Sequence, residues 1–164
     1  VVIILAILAA IVIPQFSSAT VDAQEAALDS NLNALRSAIE LYKAQHSGKY
    51  PAAVAATGAT CTVGAAGTGA IDTAQAFTEQ LTIRSSITGT TCTGADPTTV
   101  LGPYLRKGIP ADPITNSAAI VIATAGTPLA PAAATGGWIY DNKTGQIVMN
   151  SNALDSKNNA YSTH

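Results

Sequence analysis

VVIILAILAAIVIPQFSSATVDAQEAALDSNLNALRSAIELYKAQHSGKYP, residues 1–51, decides how this chain is built. Residues 1–13 carry no charge, no glycine and no polar side-chain atom, so a helix there offers no face to water and must be buried all round. As a helix they rise only about 20 Å, against about 30 Å of bilayer hydrocarbon. The chain also starts inside the apolar run, with no positive flank and no capping residue ahead of it. A membrane span is therefore expected to draw on further apolar residues upstream of Val1. No small-residue cleavage site follows the run, so the segment is expected to be kept rather than removed as a signal peptide.

From Ala23 the pattern changes. Leu28, Leu32, Leu35, Ile39 and Tyr42 recur at steps of four and three, which places them on one stripe of a continuing helix. Asp22, Glu25, Asp29, Arg36, Glu40 and Lys43 fall between them and read as a solvated face, with Arg36 and Glu40 spaced for an i,i+4 pair. His46, Ser47, Gly48 and then Pro51 supply a stop, so the helix is expected to end near residue 46. One helix that is apolar all round and then on one side buries its first half outside the domain and its second half within it. That is an assembly element, and the chain divides accordingly: 1–22 as apolar helix, membrane anchor and polymer core, 23–164 as a head that includes the amphipathic half.

The remaining composition is consistent with one domain of ordinary size outside the cytoplasm. Eight Lys and Arg stand against ten Asp and Glu, for a net charge of −2, so the basic footprint of a nucleic-acid binder is missing. Ala, Thr, Gly and Ser dominate the body. Cys61 and Cys92 are the only cysteines and sit in Thr- and Gly-rich surroundings, where a disulfide is expected in an oxidising compartment and two inert thiols are the alternative. Such a bridge would close a loop of about thirty residues and stabilise by roughly 3 to 4 kcal/mol in the chain-entropy account.

Residues 51–70 lack periodicity and read as a long surface loop. Ile71, Ala74, Phe77 and Leu81 mark a short amphipathic helix at one end of a sheet. AIVIAT (119–124), GWIY (137–140) and QIVM (146–149) read as strands, the last two joined by the turn residues 141–145 into a hairpin. A small C-terminal antiparallel sheet laid on the 28–42 stripe gives an α+β head on a long N-terminal helix, about residues 1–46.

The aliphatic run followed by Pro14, Gln15 and Phe16, the small polar stretch after it and the Gly-x-Tyr-Pro of residues 48–51 resemble the N-terminal helix of type IV pilins and type II secretion pseudopilins. Residues 76–81 (AFTEQL), 102–113 (GPYLRKGIPADP) and 137–149 (GWIYDNKTGQIVM) are similar, more weakly, to pseudopilin-type domains. The resemblance implies a mature chain beginning about eight residues before Val1, a segment that would complete the span. It implies a filament-core interface at Val1, Ile4, Leu5, Leu8, Ile11, Val12, Pro14 and Phe16. In a polymer, Pro14 is expected to loosen the helix on its N-terminal side, because its ring denies a hydrogen bond to Ala10 and clashes with that carbonyl. The implied partners are copies of the same chain, the inner membrane before assembly and the pilus assembly machinery. The implied location is a cell-surface filament with an inner-membrane pool.

Catalytic chemistry finds no carrier. His46 and His164 are the only histidines, and neither has a second ligand at metal spacing. Residues 64–69 (GAAGTG) lack the lysine and hydroxyl of a phosphate loop and follow no strand. There is no G-x-S-x-G elbow, no paired carboxylates and no complete calcium ligand order, so no cofactor or metal is expected. Asn142-Lys143-Thr144 matches a glycosylation acceptor but reads as a plain turn between strands. The expected function is that of a structural major pilin, the alternative being a major pseudopilin within a secretion machine; a monomeric membrane-anchored binding protein would not explain the continuing amphipathic stripe.

Overall fold

The computed structural model describes the backbone of residues 2–164 and the side chains of residues 19–164. It is an α+β protein in which helix α1, Val2–Gln45, leads into a head with small sheets. The filament-core residues expected between Val1 and Phe16 lie outside the described side chains; the backbone of α1 runs through Pro14 as continuous helix in the single chain, and the loosening expected there concerns the polymer.

Leu28, Leu32, Leu35, Ile39 and Tyr42 are all buried, as their spacing predicts. At the end of α1 the chain turns through two left-handed residues, Ser47 (φ 55°) and Gly48 (φ 80°). The Gly48 amide donates back to the Lys43 carbonyl at 3.0 Å, satisfying a terminal carbonyl of the helix. Nothing lies within 4 Å of a Cβ built on Gly48, so the conformation alone favours glycine there.

Helix α2, Ala74–Thr82, starts at Thr73, whose side-chain oxygen accepts from the Ala76 amide at 3.2 Å. Phe77 and Leu81 are buried, whereas Ile71 precedes the cap and is exposed, so it does not belong to the apolar face expected of it. α2 lies against α1 and against the main sheet. Two short strands follow, β1 (Arg84–Ser85) and β2 (Thr91–Cys92), paired antiparallel.

The main sheet is made of β3 (Ile120–Ala123), β4 (Trp138–Asp141) and β5 (Ile147–Met149). β4 and β5 form the expected antiparallel hairpin, with Trp138 opposite Met149. β3, however, runs parallel to β4, pairing Ile120 with Trp138, so the sheet is mixed rather than antiparallel. Residues 124–137 are long enough to carry the chain back to the end where β3 began, which a parallel neighbour requires. Trp138, Tyr140, Ile147 and Met149 close on the α1 stripe and on Phe77, whose ring sits 4.5 Å from that of Tyr140.

The segment read as a long surface loop carries no helix or strand, and it is tied to the head at several points. Ala52 and Ala56 are buried, the Ala56 amide donates to Gly69 at 2.8 Å and the Thr91 amide donates to Ala56 at 2.9 Å. Apolar periodicity could not reveal this, because main-chain hydrogen bonds rather than a side-chain stripe hold it.

Candidate functional site

Three groups of residues carry the head's chemistry: a staple, a ring stack at the end of α1, and a charged contact between α1 and the C-terminal segment. Cys61 and Cys92 are disulfide-bonded, with Cα atoms 5.9 Å apart. Cys92 lies in β2 and is buried, not in a loop as its neighbours implied. Asp96 reinforces the staple by accepting from the amides and hydroxyls of Thr98 and Thr62. The Thr98 hydroxyl, followed by that of Thr62 and both amides, holds the Asp96 carboxyl well below the usual range.

His46 stacks on Tyr42 and packs edge-on against Tyr104. Its Nδ1–H donates to the Tyr42 carbonyl at 2.8 Å, so Nε2 is the acceptor for the Ser85 hydroxyl at 2.9 Å. A serine bonded to an imidazole is the geometry of a nucleophile and its base, but here both residues are fully buried and a carbonyl, not a carboxylate, orients the ring. The pair ties the end of α1 to β1. Burial pushes the His46 pKa down against the pull of main-chain bonds, and burial pushes the Tyr104 phenol up to about 12.

Asp112, Asp141 and Glu79 are spent chiefly on main-chain amides. Asp112 accepts from the amides of Ile114, Thr115, Ser117 and Gly137 and from the Thr115 hydroxyl. Burial works to raise its pKa, yet these donors together hold it below the usual range. Asp141 accepts from the amides of Gly126, Lys143 and Thr144 and so shapes the hairpin turn. The Glu79 carboxylate takes the amides of Thr68 and Gly69. Among the described residues no group of three His, Cys, Asp or Glu is placed to hold a metal ion.

Of the charges expected to form a solvated face on α1, Asp22, Asp29 and Glu40 are exposed and Arg36 and Lys43 half-buried, and several of them are also bonded to other parts of the chain. Glu25 is buried and accepts from the amide and hydroxyl of Ser156, both at 2.7 Å. Asp29 meets the His164 ring, and Arg36 donates to the main-chain oxygens of Ile147 and His164 at 3.3 and 2.6 Å, so it is not committed to the Glu40 pair its spacing implied. Glu40 lies 3.9 Å from Lys43 instead. Asp22, Glu25, Asp29, Asp155, Lys157 and His164 border an open cleft of about 400 Å³. No sequence signal marks this contact, because Glu25, Asp29 and Arg36 sit at helical steps beside the buried stripe just as residues of a solvated face would.

Asn142, in the sequence that matches a glycosylation acceptor, is buried, and its Nδ2 donates to the Ala52 carbonyl at 3.1 Å and to Asp72. Among the described residues no helix is long and apolar enough to cross a membrane; the anchor expected over 1–22 falls mainly on residues outside that set. Compared with known protein families, curated proteins and solved structures, the chain matches none.

Proposed function

We propose that this chain is a major pilin, a structural subunit that polymerises through its N-terminal helix into a type IV pilus-like filament at the cell surface, and that it performs no catalysis. One observation carries the reading. Residues 1–13 have no polar side chain at all, and the same helix continues into a stripe buried within the head. A segment apolar all round needs a solvent other than water, which lipid supplies before assembly and neighbouring helices supply afterwards. The resemblance of residues 1–51 to the pilin helix supplies the partner, further copies of this chain, with the inner membrane and an assembly machinery as way stations. A disulfide between Cys61 and Cys92 suits an extracytoplasmic head. Attachment, motility and DNA uptake are the uses such a filament would serve.

The alternative, a major pseudopilin acting in a short periplasmic filament, draws on residues 102–113 and 137–149, whose similarity is to pseudopilin-type domains. Deleting residues 1–13 is expected to leave a folded, soluble head that cannot polymerise; filaments formed by that truncation would end the assignment. Electron micrographs of cells expressing the full chain separate the two readings, since a pilus extends beyond the surface.

A further inference from the structure

We propose that the outer edge of β3 is a pairing surface for a second copy of this chain. β3 is the last strand on its side of the main sheet, which runs β3, β4, β5. The Ala119 and Ala123 carbonyls accept from the Trp138 and Asn142 amides at 2.8 and 3.2 Å. Main-chain groups alternate between the two edges of a strand, so in this parallel register Ile120 and Ile122 turn both their N–H and their C=O away from β4. Among the described residues nothing bonds to those groups on the outer side. Such an edge is a template for another strand, and proteins commonly guard it with a charge, a proline or a bulge. β3 has none of these. Residues 113–140 contain no Asp, Glu, Lys or Arg, residues 114–127 contain no proline, and the pairing of residues 120–123 with 138–141 is unbroken. Only its length of four residues limits it.

The geometry selects a copy of the same edge as the occupant. When two β3 strands lie antiparallel about a twofold axis at Val121, Ile120 of each faces Ile122 of the other, and the four outward N–H groups meet the four outward C=O groups. Val121 then faces Val121 of the second copy in the closer, non-hydrogen-bonded kind of pair. Val121 is exposed, and it shares the outer face of the sheet with Ile139 and Val148, while Ile120 and Ile122 pack into the core. Pairing therefore buries Val121 and carries the apolar row across the join. A stretch without charge meets its own image with no like-charge repulsion, which is what a twofold contact requires. The contact is closed, so it joins two chains and stops, and it is distinct from any contact that repeats along a polymer. Four residues from each copy offer less than the about 1,000 Å² of a stable interface, so single heads pair weakly and many heads displayed together pair firmly. Under the pilin reading the edge ties filaments side by side; that consequence rests on the reading, whereas the pairing of two heads does not.

Residue-resolved hydrogen exchange of the full chain at low and high protein concentration tests the edge, in detergent with micelles in excess so that shared micelles do not gather the heads. The Ile120 and Ile122 amides are expected to gain protection with concentration, by about threefold or more, while the Val121 and Ala123 amides, already bonded to β4, change less. Val121→Lys sets two like charges opposite each other and should abolish the gain with its circular dichroism unchanged. Val121→Cys should form a disulfide-linked dimer under mild oxidation about tenfold or more faster than Val100→Cys, although position 100 is the more exposed, at 67% against 45%. No concentration dependence at Ile120 and Ile122, a gain that survives in Val121→Lys, or equal cross-linking at the two positions overturns the proposal. Protection of those two amides at every dilution would mean that another segment covers the edge, and overturns it as well. Neither readout needs a filament, so failure here leaves the pilin reading standing, and a chain that never polymerises leaves the pairing open to the same measurement.

Discussion

The imidazole of His46, the first residue past α1, lies flat on the phenol of Tyr42, ring centroids 3.6 Å apart and planes 7° from parallel. The ring is therefore fixed on three sides: by the stack, by the Tyr42 carbonyl on Nδ1 and by the Ser85 hydroxyl on Nε2. This contact joins the last turn of the long helix to β1 and the loops beyond it.

Acid should weaken that joint. Burial lowers the His46 pKa in the folded chain, so the neutral ring is the form that folding prefers. Its contribution is fully present above about pH 6.5, the ordinary value for an unfolded histidine, and is lost as pH falls below that toward the folded value. His46→Phe keeps the stacking surface but strands the Ser85 hydroxyl, at a cost of about 1 to 3 kcal/mol at pH 8. Urea unfolding of both proteins from pH 8 to 5 should show the gap narrowing in acid; a gap that widens would mean that His46 is charged in the fold.

Tyr42→Phe is expected to stabilise. The Tyr42 hydroxyl is buried and finds no partner among the described residues, and burial first, then the Tyr104 phenol, pushes its pKa up. Removing an unpaired buried hydroxyl while keeping the ring should raise stability by about 1 kcal/mol. A loss of that size in the urea midpoint would show that the hydroxyl is bonded after all.

Replacing Cys61 and Cys92 together by serine should cost about 3 to 4 kcal/mol, the loop-closure entropy restored to the unfolded chain. The loop spans 31 residues, and the Asp96 bonds to Thr62 remain to hold its folded shape. The check is thermal unfolding with and without reductant. A serine pair as stable as the reduced natural protein is the expected outcome, and one as stable as the oxidised protein would refute it.

No glycan is expected on Asn142, even in a host able to modify the Asn-Lys-Thr sequence. The amide nitrogen that would carry the sugar is buried and donates to Ala52 and Asp72. Mass spectrometry of the peptide containing Asn142 should find it unmodified. Asn142→Ala should destabilise by about 1 to 3 kcal/mol, since it leaves the buried Ala52 carbonyl one donor short.

What the sequence determined on its own was whatever short-range chemistry encodes. The stripe from Leu28 to Tyr42 was legible because helical geometry brings residues three and four apart to one side. The β4–β5 hairpin was legible because turn residues separate two apolar runs, and the stop after Gln45 because glycine takes a left-handed conformation at low cost. Only the tertiary structure decided the direction of β3, the binding-in of residues 51–70 and the fate of the charges on α1. Glu25, Asp29 and Arg36 meet partners more than a hundred positions away, at Ser156, His164 and Ile147. A charged residue beside a buried stripe looks the same in sequence whether water or a distant main-chain group satisfies it. The choice is made when the C-terminal segment packs back on the helix, because burial makes an unpaired charge costly and leaves the paired arrangement as the one that persists.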